Sequence, residues 1–232
     1  MVCASQAYCE MKDYDPSLPL IAIHVPKTAG TSVRNIYEDW FRSGFLEHYI
    51  TPPEQPKKYD LNALHSRERP VVVYGHFNSK KNFGVQDVYP EVEQFVTILR
   101  DPFDRAVSRY FYVKGIDKKS GGSSTSESEL REVLRHQDPK WGMLCQFPRQ
   151  VTMENYKEII ERYFIDIGTT EYLEESLTRV SKKLGKTFSP TSLPVLNVSR
   201  RNAAVPEDLR EEFINANSLE YAVYNYVKSM YE

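Results

Sequence analysis

Cysteine is scarce in this chain. Cys3, Cys9 and Cys145 are the only three among 232 residues, and no CxxC pair or Cys/His cluster joins them. An odd number without metal-ligand spacing excludes a disulfide-built scaffold and argues against a structural zinc. Long apolar runs are missing as well, so no stretch reads as a bilayer span. The first residues, MVCASQAYCEMKDYD, lack the apolar core of a secretory leader. These absences lead to the expectation of a soluble, cytoplasmic protein, unless the chain is a catalytic domain cut from a longer one. Charge of one sign is also lacking. A net charge of −2 gives no general field for nucleic acid or a membrane surface, so any anion site must be a local cluster of Lys and Arg.

What is present suits one α/β domain. Hydrophobic residues make up 41% of the chain, enough for a core. Residues 1–17 read as a polar N-terminal arm and 18–232 as a single domain. Apolar strand-like runs occur at 20–25, 71–75, 94–99 and 163–167. Helical periods follow at 32–41, 102–114, 127–136, 152–162, 170–184, 206–216 and 218–231. Strands alternating with helices imply an open, mostly parallel central sheet flanked by helices, with its ligand beyond the carboxyl ends of the strands. Lys27, His76, Arg100 and Gly168 all fall at such ends. One low-complexity stretch, 115–128, is rich in Gly and Ser. It is expected to be a mobile loop, either lying over a site or simply exposed.

The densest motif is LIAIHV-PKTAGTS-VRNIYEDWF, from Leu20 to Phe41. A buried strand stopped by Pro26, a loop of small residues, then a helix is the arrangement that cradles a phosphate. Backbone N–H groups at the helix start point into the loop, and the helix dipole favours an anion there. Lys27 precedes Gly30 by three residues, unlike the lysine of an NTPase Walker A loop, which follows the last glycine. From that position it can reach a bridging oxygen between two transferable groups. A plain strand-to-helix turn with an exposed lysine fits the same letters. The second motif, RDPFDRAVSRY, runs from Arg100 to Tyr110. Arg100 leaves a strand end, Asp101 can cap the next helix, and Pro102 can occupy its first turn. Arg100 and Ser108 can both point into one cleft and hold a phosphate. Arg105 and Arg109 read as surface residues.

Together the two motifs resemble the PAPS-dependent sulfotransferases, the carbohydrate branch in particular, such as the heparan sulfate 2-O-sulfotransferases. PKTAGTS is similar to that family's 5′-phosphosulfate loop and RDPFDRAVSRY to its 3′-phosphate motif. Weaker similarity continues through IGTTEYLEESL and LPVLNVSRR. The resemblance implies a P-loop-like α/β core holding 3′-phosphoadenosine 5′-phosphosulfate (PAPS), releasing PAP and needing no metal. Lys27, Thr28, Ala29, Gly30, Thr31 and Ser32 would wrap the 5′-phosphosulfate. Arg100 and Ser108 would hold the 3′-phosphate, with Arg200 and Arg201, and Asn197 and Ser199, as later contacts. The acceptor would be a hydroxyl, of a saccharide, a glycolipid, a small alcohol or a protein tyrosine, in falling order of preference.

His76 is the candidate base. It follows VVVYG at a strand end, and the YGH segment resembles the HGH segment of the 2-O-sulfotransferases, with Tyr74 in place of the earlier histidine. His24 is the rival. A carboxylate base, Asp101 or Glu171, stays open, whereas His48, His65 and His136 are expected on the surface. Lys80, Lys81, Lys114, Lys118 and Lys119 either select an acidic acceptor or are simply solvated. The rival functions are a P-loop small-molecule kinase and a non-catalytic nucleotide-binding module.

Overall fold

A computed structural model of the chain describes residues 11–49, 57–119, 126–192 and 205–232. Five strands, β1 (Leu20–Ile23), β2 (Phe45–His48), β3 (Val72–Gly75), β4 (Phe95–Leu99) and β5 (Phe164–Thr169), form one sheet in the order β2-β3-β1-β4-β5. Every pairing is parallel, so the expected open, mostly parallel sheet is all-parallel. The helices are α1 (Gly30–Phe41), α2 (Leu61–Leu64), α3 (Val85–Val88), α4 (Pro102–Lys119), α5 (Glu127–Arg135), α6 (Tyr156–Tyr163), α7 (Leu173–Lys183), α8 (Arg210–Ala216) and α9 (Ser218–Lys228).

A parallel sheet buried on both faces needs apolar residues at successive positions rather than in alternation. Leu20, Ile21, Ala22 and Ile23 are all buried. Ile21 and Ile23 pack with the apolar residues of α4, α5, α6, α8 and α9. Leu20 and Ala22 face the other way, onto α1 and α7. Asp166, also buried, is held on that second side by a bidentate Arg179.

The chain runs outward from β1 to β2 on one side and from β4 to β5 on the other, although β1 and β4 are neighbours. Connections leaving adjacent strands in opposite directions open a crevice at their carboxyl ends, where ligands of such sheets bind. Lys27 and Arg100 stand at those two ends.

Several boundaries differ from the sequence reading. β2 is not among the expected strands: FLEH carries a glutamate and a histidine, and as an edge strand it pairs only with β3. The helix expected to end near Lys114 continues to Lys119, through Gly115, which costs a helix only about 1 kcal/mol relative to alanine. The expected 115–128 loop is therefore helical at its start. Ser126 caps α5 at the other end by accepting from Glu129 N, and residues 120–125 lie outside the described residues. The described part of the N-terminal arm is irregular but tethered. Lys12 N donates to Glu161 O, and the buried Gln94 amide exchanges hydrogen bonds with Asp15. Among the described residues no helix is long and apolar enough to cross a membrane.

Candidate active site

The loop after β1 has the backbone of an anion cradle. Lys27 and Ala29 both adopt left-handed conformations, with φ of 74° and 61°, while Thr28 between them does not. Left-handed residues alternating in this way turn successive N–H groups to one side, as in phosphate-binding nests. The cost of two non-glycine residues there is met by local bonds. Thr28 Oγ1 donates to Val25 O at 2.8 Å, and Ser32 N and Val33 N donate to Ala29 O. Thr28, Gly30 and Ser32 are buried and Thr31 is exposed.

Gly30 is obligatory for a steric reason. The His24 ring lies against it so closely that an added Cβ would sit 1.6 Å from Nε2. Tyr74, buried on β3, donates its hydroxyl to Gly30 O at 2.8 Å. The tyrosine in the YGH segment thus braces the loop.

Arg100, at the end of β4, points Nη1 at the Lys27 carbonyl, 3.4 Å away. Burial, and next the Arg100 charge, lower the pKa of Lys27 from its ordinary 10.5. Lys27 Nζ lies 4.0 Å from the centre of the Tyr112 ring on α4. Asp101 caps α4 through Asp104 N, as expected, at 2.9 Å. Ser108 is buried one turn before Tyr112, on the stripe that Tyr112 shows to be turned toward the loop.

His76, one residue past β3, completes the group. Its ring centroid is 4.4 Å from that of His24, and its Nδ1 lies 2.7 Å from the His24 carbonyl oxygen. A carbonyl can only accept, so Nδ1 carries the proton and the lone pair of the neutral ring is on Nε2. Burial is the main cause that lowers the His76 pKa below 6.5. His24 is pushed down further, by burial and then by His76 and Lys27. Its Nδ1 is engaged by Tyr49 Oη at 2.9 Å and its other edge by Gly30.

The structure therefore brings Lys27, the loop to Ser32, Arg100, the Ser108 stripe and His76 to one end of the sheet. Gly168, within β5, packs against Ser176 and Ile98. Asp101 is taken up by Arg210 at 3.1 Å, and Glu171 accepts from Asp101 N. Asn197, Ser199, Arg200 and Arg201 lie outside the described residues. Among the described residues no group of three His, Cys, Asp or Glu could hold a metal.

Two surface expectations are corrected. His48 is fully buried, stacked on Phe77, with Nδ1 on the His76 carbonyl at 3.0 Å; its burial follows from the missed strand β2. Arg105 is 1% exposed and packs inward toward Glu220. Tyr49, Tyr74 and Tyr112 join the site beyond the residues expected from sequence. Tyr74 carries a signal in the YGH segment and Tyr112 in its helical spacing from Ser108, whereas Tyr49 carries none.

The sulfotransferase family matches residues 12–227 of the chain. Comparison with curated proteins finds no match. Among solved structures, the mouse sulfotransferase SULT7A1 complexed with PAP is similar at a TM-score of 0.54 and 16% identity, over 92% of this chain and 90% of that one. A retinol dehydratase in complex with androsterone and inactive cofactor PAP is similar at a TM-score of 0.36 and 14% identity, over 78% of this chain and 63% of that one.

Proposed function

The chain belongs to the sulfotransferase family, and from that premise we propose that it moves a sulfuryl group from PAPS to an acceptor hydroxyl, with His76 as base and Lys27 at the leaving phosphate. One observation carries this reading: Arg100 Nη1 rests on the carbonyl of Lys27, so two cationic residues meet where the connections after β1 and β4 part. The PAP named with the SULT7A1 structure supports the choice of donor.

The residues present fit such a donor. The alternating backbone at Lys27 and Ala29 offers N–H groups to the 5′-phosphosulfate, together with Thr28, Gly30, Thr31 and Ser32. Arg100, with its forked guanidinium, and Ser108 suit the 3′-phosphate. When bound, PAPS supplies an activated sulfuryl group whose transfer demands positioning and charge stabilisation, as phosphoryl transfer does. His76 Nε2 takes the proton of the acceptor hydroxyl as that oxygen forms its bond to sulfur. The His24 carbonyl holds the ring in the tautomer that can do so. Lys27 neutralises the charge that grows on the phosphate oxygen as the sulfur–oxygen bond breaks.

A carbohydrate or glycolipid is the acceptor proposed. The YGH segment, with its histidine at a strand end, supports the carbohydrate branch, and Tyr74 takes the place of that branch's earlier histidine as a brace on the loop. The test is transfer of labelled sulfate from PAPS across neutral sugars, acidic sugars, glycolipids, small alcohols and tyrosine peptides. Labelled sugar or glycolipid product, dependent on His76, is expected. Transfer to none of the panel by a protein that binds PAP would overturn the catalytic reading, and product on tyrosine alone would overturn the carbohydrate one.

A further inference from the structure

Beside the crevice, a cavity of about 210 Å³ opens between α4 and residues 133–141, lined by Arg105, Arg109, His136, Asp138 and Trp141 among others. It lies next to the residues that follow the proposed base. Phe77 N donates to Gln146 Oε1 at 3.0 Å, Asn78 Nδ2 to Lys140 O at 2.9 Å, and Ser79 Oγ to Cys145 O at 3.2 Å. Arg109 is the neighbour of Ser108 on α4 and precedes Tyr112, the residue under Lys27, by one turn. The cavity thus adjoins the segment that follows His76.

Its charge is lopsided. Trp141 is 39% exposed, and two cations from different elements lie on its ring: Lys81 Nζ at 3.7 Å and the Arg109 guanidinium at 3.9 Å from the centroid. Behind them Arg105 is 1% exposed, Glu220 lies 3.7 Å from its Nη2, and among the described residues its Nε–H has no hydrogen-bond partner. Glu220 is already engaged by Met143 N. The other acid here, Asp138, stands 3.8 Å from Lys140, and His136 at the rim is 3.5 Å from Glu132. Among the described residues, Lys81, Arg105, Arg109 and Lys140 thus gather here around Glu220 and Asp138, with Glu132 beside His136 at the rim. Burial and then the Arg105 charge lower the pKa of Arg109, as expected where like charges meet without enough counter-charge. A buried guanidinium with only one carboxylate near it, at 3.7 Å, adds positive potential behind the Trp141 face.

We propose that Lys81, Arg109 and Trp141, backed by Arg105, form a subsite for an anionic group, a carboxylate or sulfate, carried by the acceptor. A guanidinium fork matches the paired oxygens of either group, and the indole offers apolar contact to the carbon skeleton bearing it. This rests on the sulfotransferase reading for the word acceptor, but the anion site can be measured without turnover.

The experiment is a titration of inorganic sulfate into protein saturated with PAP, for the wild type, Arg109→Gln and Lys81→Gln. Methyl β-glucuronide and methyl β-glucoside are then added as competitors. Sulfate should bind the wild type, and each variant should bind it about tenfold more weakly, the loss of one charge-assisted hydrogen bond. PAP affinity should be unchanged, and the glucuronide but not the glucoside should displace sulfate. Equal sulfate binding in all three proteins, or none in the wild type, overturns the subsite. Arg109-dependent sulfate binding that the glucuronide leaves untouched overturns its assignment to an acceptor group. Failure of PAP to bind the wild type would instead strike the donor reading, and the sulfate arm would still decide the subsite.

Discussion

The Nδ1 atom of His76 lies 2.7 Å from the carbonyl oxygen of His24, across the gap between neighbouring strands β3 and β1. The proton on that bond leaves Nε2 as the only basic position of the ring. An asparagine at 76 can reproduce the Nδ1 donor with its amide nitrogen but has nothing at the place of Nε2. His76→Asn should therefore keep the fold and PAP affinity while lowering kcat by about 10²–10⁴-fold, the range for loss of a general base. Single-turnover transfer from labelled PAPS measures this, and an unimpaired variant would remove His76 from the chemistry.

Gly30 and His24 should behave as a coupled pair. With a Cβ meeting the imidazole at 1.6 Å, Gly30→Ala must displace either the ring or the loop. Overpacking of this kind costs about 1–3 kcal/mol. Thermal unfolding of Gly30→Ala, His24→Ala and the double variant forms the check. The double variant should be more stable than the sum of the single effects allows. Strict additivity would mean that the ring does not set the need for glycine.

Lys27 should matter more to the reaction than to binding. Its position at the loop suits charge that develops as the donor breaks, and interactions made only then lower kcat and kcat/KM together. Lys27→Met is expected to reduce both in parallel and leave PAP affinity within a few fold. A pure rise in KM, read from steady-state kinetics, would contradict this.

Acid should destabilise the folded chain through its histidines. Burial holds His24, His48 and His76 below the ordinary 6.5. Below that value the unfolded chain takes up protons that the folded chain refuses, so stability is complete above 6.5 and falls as pH drops toward the depressed folded values. Calorimetry should give a lower Tm at pH of about 5.5 than at about 7.5, with a smaller drop in His48→Asn. An unchanged Tm over that interval would contradict the buried neutral state of these rings.

Much of this site could be read from residue order because its parts are local. Strand, proline, small residues and helix follow one another within Leu20 to Phe41, and the loop geometry at Lys27 and Ala29 is a property of that segment. Asp101 and Pro102 likewise announce the start of α4. What could not be read depends on distant partners. His48 is buried because FLEH, with its Glu47 exposed, is recruited as an edge strand by β3. Arg105 reads as a surface residue until Glu220, far along the chain, folds over it. Trp141 has no motif around it, and its importance comes from Lys81 and Arg109 meeting on its ring. The role of Tyr74 was similarly hidden, since its partner, the Gly30 carbonyl, belongs to another strand's loop.

The central claim is that the loop from Lys27 to Ser32 and the Arg100 side chain hold the two ends of one adenosine bisphosphate. Calorimetric titration of PAP and of adenosine 5′-phosphate, into the wild type and Arg100→Ala, tests it most directly. The wild type should bind PAP well above adenosine 5′-phosphate, and Arg100→Ala should lose about tenfold or more for PAP alone, so that the two ligands converge. Undiminished preference for PAP in Arg100→Ala would contradict the account.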